Sequence, residues 1–379
     1  MIYLPDGVQD FLPEEYEFKR NIEDKFREVF KSFGYKEIMP PTFEYSENFS
    51  HLFDENSMYR FFDKKGNILA LRPDVTAQIA RIVSTKLEGR YPLKLCYVAN
   101  VYRYEDTQVG KMREFTQAGV ELIGTNHEES DAEVIALSIE ALKSTGLKDF
   151  KIDIGHAEVF GSIVRNLNLG NEDVNLLREL LEQKNQSAIE DFIKQKEIKR
   201  EEAKLLRELP LLLGGEEILE KLKKENFKET EGVLEYLDRV YKILEDFGMK
   251  GYISFDLGMV QNLNYYTGII FRGFVKGLGY AICTGGRYDK LLKIYGKDLP
   301  ATGFAISVER VMLALQRQSK GEWVKPRRVL VRYKEEERRR AYEKANVLRK
   351  EGNVVEMYTF KRCENIDLKT FDEVVDVGE

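Results

Sequence analysis

From about Gly170 to about Gly248 the chain is rich in Leu, Glu and Lys at helical spacing, with little strand signal. Strand-like segments stand on both sides of this block. Leu93–Tyr104, Phe115–Ile123 and Phe150–Ile154 precede it; GYISFDLGMV, YYTGIIFRGFV and LGYAICTGG follow from Gly251. Helices and antiparallel-looking strands, then a helical block, then more strands is an α+β order. A doubly wound sheet would alternate strand and helix throughout. The spacing therefore predicts an antiparallel sheet flanked by helices. A core over residues 1–169 and 249–318 is interrupted by a helical insertion at 170–248. After a basic hinge, Lys320–Arg328, a short C-terminal α/β unit fills 319–379.

Local signals fill in this plan. Phe18, Ile22, Phe26, Val29, Phe30 and Phe33 recur at three- and four-residue steps and predict an amphipathic helix over 14–33. Tyr59–Leu71 reads as a hairpin turning at Lys65-Gly66-Asn67. A helix from about Thr76 to Leu87 follows Pro73, and another covers Asp131–Ser144. Past the hinge, RRVLVRY, Glu335–Arg349 and NVVEMY read as strand, helix and strand.

Composition narrows the function classes. The 379 residues, 43% hydrophobic and 33% charged, bury a large core under a solvated surface, which excludes a disordered chain. The net charge of −6 gives no sign of a nucleic-acid-coating protein. Cys96, Cys283 and Cys363 are unpaired in spacing, and His51, His127 and His156 are scattered, so neither a disulfide framework nor a metal site is expected. No signal-like start and no span of roughly 18 apolar residues is visible, so the expected place is the cytoplasm, away from membranes. Neither G-x-G-x-x-G nor G-x-x-x-x-G-K-[ST] occurs.

Four clusters carry chemistry. In LRPDVTAQIAR, Asp74 and Thr76 sit at a strand-to-helix junction, where they could receive an ammonium group or simply cap the helix. In VYRYEDTQVGKMREFTQAGVELIG, Arg103 and Arg113 flank a loop between two strands, a clamp for phosphate or carboxylate or a surface charge network. Gln117 and Glu121 are four apart on the second strand and share a face. Glu121 lies in an otherwise apolar strand and needs a partner. In NLNYYTGIIF and CTGGRYDKLL, one of Tyr265 and Tyr266 would line a pocket while the other packs the core, with Arg287 beside two glycines. In ATGFAISVERVM, Arg310 sits at the head of a helix where it can reach back.

In this order the clusters resemble the catalytic core of class II aminoacyl-tRNA synthetases, specifically the histidyl-tRNA synthetases and their paralogues, the ATP phosphoribosyltransferase regulatory subunits. FLPEE (Phe11–Glu15) matches the amino-terminal signature, and GYKEIMPPTFE (Gly34–Glu44) looks like the first class motif, which dimerises in the family. VYRYED with MREF looks like the second motif, in which Arg103, Glu105 and Arg113 would contact ATP. GFAISVER looks like the third, with Arg310 as its arginine, and NYYTGIIF and GGRYD look like the histidine-specific boxes. The resemblance runs over about residues 1–318 and implies a histidine-like pocket of Asp74, Thr76, Gln117, Glu121, Tyr265, Tyr266 and Arg287.

Departures point to the regulatory paralogue. Gln261 stands where the synthetases carry the arginine that helps activate the histidine carboxylate, and losing a charge there typically costs orders of magnitude in rate. Asp74 replaces a glutamate, Ser307 a glycine, and the C-terminal region is short for an anticodon-binding domain. The resemblance then implies no catalysis and no cofactor. It implies a homodimeric core assembled with the short-form ATP phosphoribosyltransferase catalytic subunit, histidine as effector, and no tRNA partner. An active histidyl-tRNA synthetase is the alternative.

Overall fold

The computed structural model describes residues 3–87, 89, 91–104, 112–167, 169–225, 231–260, 265–318 and 327–378. The chain forms two compact units, Met1–Gln318 and Ser319–Glu379. The first opens with α1 (Pro13–Ser32) and β1 (Lys36–Glu37), followed by a small antiparallel sheet, β2 (Phe43–Tyr45), β3 (Arg60–Phe62) and β4 (Ile68–Leu71). Then come α2 (Thr76–Thr85), β5 (Leu93–Tyr102), β6 (Glu114–Ile123), α3 (Glu128–Ser144) and β7 (Phe150–His156). A helical run follows: α4 (Ala157–Asn166), α5 (Asn171–Glu182), α6 (Gln186–Gln195) and α7 (Arg200–Glu208). The two-residue β8 (Leu213–Gly214) separates it from α8 (Glu217–Glu225) and α9 (Glu231–Asp246). The unit closes with β9 (Ile253–Asp256), β10 (Ile269–Val275), β11 (Cys283–Arg287), α10 (Leu291–Ile294), β12 (Ala301–Ser307) and α11 (Val308–Gln318).

The main sheet has the order β1-β5-β6-β12-β11-β10-β7-β9-β8. Neighbours are antiparallel except β1 with β5 and β7 with β9. Strands from before and after the helical run thus interleave, β12 pairing with β6 and β10 with β7. The two-residue side-chain period then sorts the sheet into faces. Ala118, Val120 and Leu122 of β6 join Ile22, Phe26 and Phe30 of α1 and Ile135 and Ile139 of α3 in the larger core. Leu95, Tyr97 and Val101 of β5 meet Ile79, Ala80 and Val83 of α2 on the opposite face. Gln117 and Glu121 belong to that second face. Leu177, Leu181, Phe192 and Leu206 of α5–α7 are buried in the larger core as well.

The Tyr59–Leu71 hairpin forms as expected. Asp63 accepts hydrogen bonds from the backbone of Lys65 and Asn67, and Gly66 takes φ +85°, a left-handed conformation costly for a side chain. In the second unit, β13 (Arg328–Tyr333), α12 (Arg338–Lys350) and β14 (Val354–Thr359) follow the expected strand–helix–strand. A third parallel strand, β15 (Glu373–Val377), pairs on the other edge of β13 and has no counterpart in the sequence reading. Residues 320–326 of the expected hinge lie outside the described residues.

Candidate functional site

The second face of the main sheet holds a small cavity of about 60 Å³. Glu121 is its floor. It is 1% exposed, and its Oε1 accepts a hydrogen bond from Thr76 Oγ1 at 2.6 Å. The Tyr288 hydroxyl donates to its other oxygen. Gly303 lies opposite Glu121 in the β6–β12 register, and a Cβ there would strike the carboxylate. Burial is the main force on this carboxyl and pushes its pKa up to about 8; the two hydroxyl bonds pull the other way, and the charge of Asp74 adds to the rise. The sequence reading held that a carboxylate inside this apolar strand needs a partner, and within the protein two neutral hydroxyls, of Thr76 and Tyr288, fill that role.

Asp74 takes the capping role. Its Oδ1 caps α2 by accepting from the Ala77 amide at 2.9 Å, and its Oδ2 sits 3.9 Å from Arg103. Burial raises its pKa, against the pull of Arg103. Tyr265 and Tyr266 both line the cavity, with ring centroids 4.7 Å apart. The expected division between pocket and core fails because both residues precede β10, so strand alternation does not apply. Gln117 Oε1 is buried and finds no hydrogen-bond donor among the described residues. Sequence reasoning missed Tyr288, although it follows Arg287 in the quoted GGRYD, and it missed Thr284, also on the wall.

Arg287 is the clear correction. It does not line the cavity. On β11 it is three residues from Thr284, an odd step, so it faces the helix layer instead. There its Nη2 and Nε donate to the two oxygens of Asp131 on α3 at 2.9 and 3.0 Å, and the Tyr236 hydroxyl donates to the same carboxylate. Burial would lower the Arg287 pKa, but Asp131 and Asp289 more than offset it and hold the charge. Arg287 braces the back of the sheet.

A larger cleft of about 340 Å³ adjoins the cavity and shares Arg103, Gln117, Thr284 and Ala305 with it. Arg103 and Arg310 both line this cleft. Arg103 Nε donates to the Pro73 carbonyl at 2.8 Å, and Arg310 Nη1 to the Ala281 carbonyl at 2.7 Å, with its guanidinium over the Tyr280 ring. Arg113 does not join Arg103 in a clamp. Its guanidinium stacks on Tyr104 at 4.4 Å and reaches the Asp6 carbonyl. Glu105 and Gln261 lie outside the described residues. The arrangement suits binding. Two carboxyls, three phenols and an unmet amide oxygen surround the small cavity, and two guanidiniums face the larger one. The nearby Cys283 thiol is held protonated by burial, so it is no nucleophile.

Comparison with known proteins places this geometry. The family model described as Histidyl-tRNA synthetase matches residues 7–311. An ATP phosphoribosyltransferase regulatory subunit of Caldanaerobacter subterraneus subsp. tengcongensis is 99% identical over 379 residues and covers the whole of both chains. One from Thermoanaerobacter pseudethanolicus is 70% identical over 380 residues, again with both chains covered in full. A crystal structure of an ATP phosphoribosyltransferase regulatory subunit/histidyl-tRNA synthetase from Bacillus halodurans C superimposes with a TM-score of 0.88 at 33% identity, covering 100% of this chain and 99% of that one. The α+β fold is thus the class II synthetase-like one, and the chain belongs to the histidyl-tRNA-synthetase-like family of ATP phosphoribosyltransferase regulatory subunits.

Proposed function

We propose that this chain is a non-catalytic regulatory subunit that assembles with a short-form ATP phosphoribosyltransferase catalytic chain. The joint reaction unites ATP and phosphoribosyl pyrophosphate in the first step of histidine biosynthesis. Histidine acts on it as a feedback effector from the Glu121 pocket. The observation that carries this reading is the full-length match to relatives bearing the regulatory name. The neutral Gln261, where the family's synthetases carry a catalytic arginine, supports the loss of catalysis. The pocket supports histidine because buried carboxyls favour an ammonium or imidazolium group. Self-association fits the exposed Met39 and Phe43 of the motif-one-like segment, while Ile38 packs inward. No helix among the described residues is long and apolar enough to cross a membrane, consistent with work in the cytoplasm.

The synthetase reading has one feature in its favour, the presence of both Arg103 and Arg310 in the larger cleft. Two assays on the purified chain separate the readings. Histidine-dependent ATP–pyrophosphate exchange should stay far below about 1 per second, an ordinary enzymatic turnover. Calorimetry should detect histidine, its cationic group displacing the Glu121 proton on binding, and Glu121→Gln should weaken it by about 1.5–3 kcal/mol, the value of a hydrogen bond to a charged group. Exchange at synthetase rates overturns the regulatory reading. Equal histidine affinity in both proteins moves the effector elsewhere.

A further inference from the structure

On the far side of the main sheet from the Glu121 cavity, α3 and α9 meet through a matched pair of contacts. Glu128 and Asp131 are three apart on α3, and Tyr236 and Arg239 are three apart on α9, the last helix of the run between β7 and β9. Residues at that spacing share a helix face. Arg239 Nε donates to Glu128 Oε1 at 2.8 Å, and the Tyr236 hydroxyl donates to Asp131 Oδ2. The first contact is an outer one, with the Arg239 side chain 51% exposed. The second reaches the interior, where Asp131 is fully buried.

Asp131 Oδ2 also accepts from Arg287 Nε, so Tyr236 and Arg287 meet on one oxygen atom. Arg287 in turn holds both stretches of chain that carry the phenols of the cavity. Its carbonyl accepts from the Thr267 amide at 2.8 Å, directly after Tyr265 and Tyr266. Its Nη1 donates to Asp289 at 3.1 Å, and the Asp289 amide donates to Thr267 Oγ1 at 2.9 Å. Tyr288, between Arg287 and Asp289, packs edge-on against Tyr265 at 5.7 Å and donates to Glu121. The three phenols therefore stand on one polar cluster that ends in a side chain of α9.

We propose that Tyr236 is a positioning residue for the Glu121 cavity: through Asp131 and Arg287 it couples the seating of α9 on α3 to the placement of Tyr288 on Glu121. The inference rests on the pocket reading above for its ligand and on the hydrogen bonds for its route. A buried carboxylate that loses a donor is left with an unmet lone pair, and buried polar networks respond as units. Freed at its Nε, Arg287 shifts, and Tyr288 follows as the next residue. The coupling runs both ways. A ligand that keeps Glu121 ionised strengthens the Tyr288 bond, because a charged acceptor makes the stronger bond, and so tightens α9 on α3. A partner that lifts α9 loosens the cavity. Arg239 provides the contrast: its pair with Glu128 docks the same helix at the surface, outside the Asp131–Arg287 cluster.

The test uses the full chain as wild type, Tyr236→Phe, Tyr288→Phe, Arg239→Gln, and the two double variants that combine Tyr288→Phe with each of the others. Urea unfolding gives an unfolding constant for each. The joint effect of Tyr236→Phe and Tyr288→Phe should depart from the product of the single effects by about fivefold or more, the size of coupling through a packed network. Arg239→Gln with Tyr288→Phe should match its product within about twofold, as independent sites do. Should Tyr288→Phe not fold, Glu121→Gln takes its place in both cycles. Hydrogen–deuterium exchange with histidine as the probe reads the other direction. Saturating histidine should slow the α9 amides of wild type about threefold or more and leave those of Tyr236→Phe unchanged. Independence of Tyr236 and Tyr288 within about twofold overturns the proposal. So does an equally large departure for Arg239, which would make Tyr236 an ordinary docking contact, and so does bound histidine with unslowed α9 amides in wild type. Histidine that does not bind refutes the pocket reading alone, and the unfolding constants still decide the coupling.

Discussion

Replacing Glu121 with glutamine should make the protein more stable than wild type at pH 8 and above, and should flatten its stability between pH 5 and 8. The sign follows from where the proton sits. In the folded chain Glu121 holds its proton up to about pH 8, because burial penalises the carboxylate. In the unfolded chain it releases that proton near the ordinary value of 4.5. Between the two values the folded state binds the extra proton, so unfolding becomes easier as pH rises. The loss is complete above about pH 8 and absent below about 4.5. The ceiling is about 5 kcal/mol, and a few kcal/mol is the expected size after relaxation of the site. Glutamine keeps an oxygen for the Thr76 hydroxyl and has no proton to lose. Urea unfolding of both proteins from pH 5 to 9 checks this. Parallel stability curves would mean that Glu121 is ionised in the folded state at neutral pH.

The second large effect lies behind the sheet. Asp131→Asn should destabilise the chain by about 3–5 kcal/mol, the usual result of removing one partner of a buried pair. Asp131 is fully buried, and Arg287 is 5% exposed with both of its bonds to Asp131 in the interior. The variant removes the buried two-point carboxylate and leaves the guanidinium only the partly exposed Asp289 at 3.1 Å among the carboxylates paired with it here. Joint replacement, Asp131→Leu with Arg287→Met, removes both charges and should recover most of the loss. Chemical denaturation of the single and double variants measures it. A single variant within about 0.5 kcal/mol of wild type would deny Arg287 its bracing role.

These two residues mark how far the sequence could be read. Glu121 was legible because a carboxylate in GVELIG breaks an apolar strand and because the strand period sets it beside Gln117. Thr76 and Asp74 were legible because a helix start after Pro73 brings both to one junction. Arg287 was misplaced because its face depends on the parity of β11, and parity needs a known inward residue such as Thr284. Tyr288 was passed over since it lies beyond the strand end, where periodicity is silent. The Arg113 clamp failed because the guanidinium found a nearer aromatic face in Tyr104. β8 and β15 escaped notice for another reason: a two-residue edge strand and a short parallel one are defined by partners distant in sequence.

The regulatory role itself is tested most directly by adding this chain to a purified short-form ATP phosphoribosyltransferase catalytic chain and following the union of ATP with phosphoribosyl pyrophosphate. The rate should rise at least tenfold on a saturable titration of this chain, and histidine should suppress that rise in wild type more than in Glu121→Gln. A rate indifferent to this chain at any concentration would contradict it.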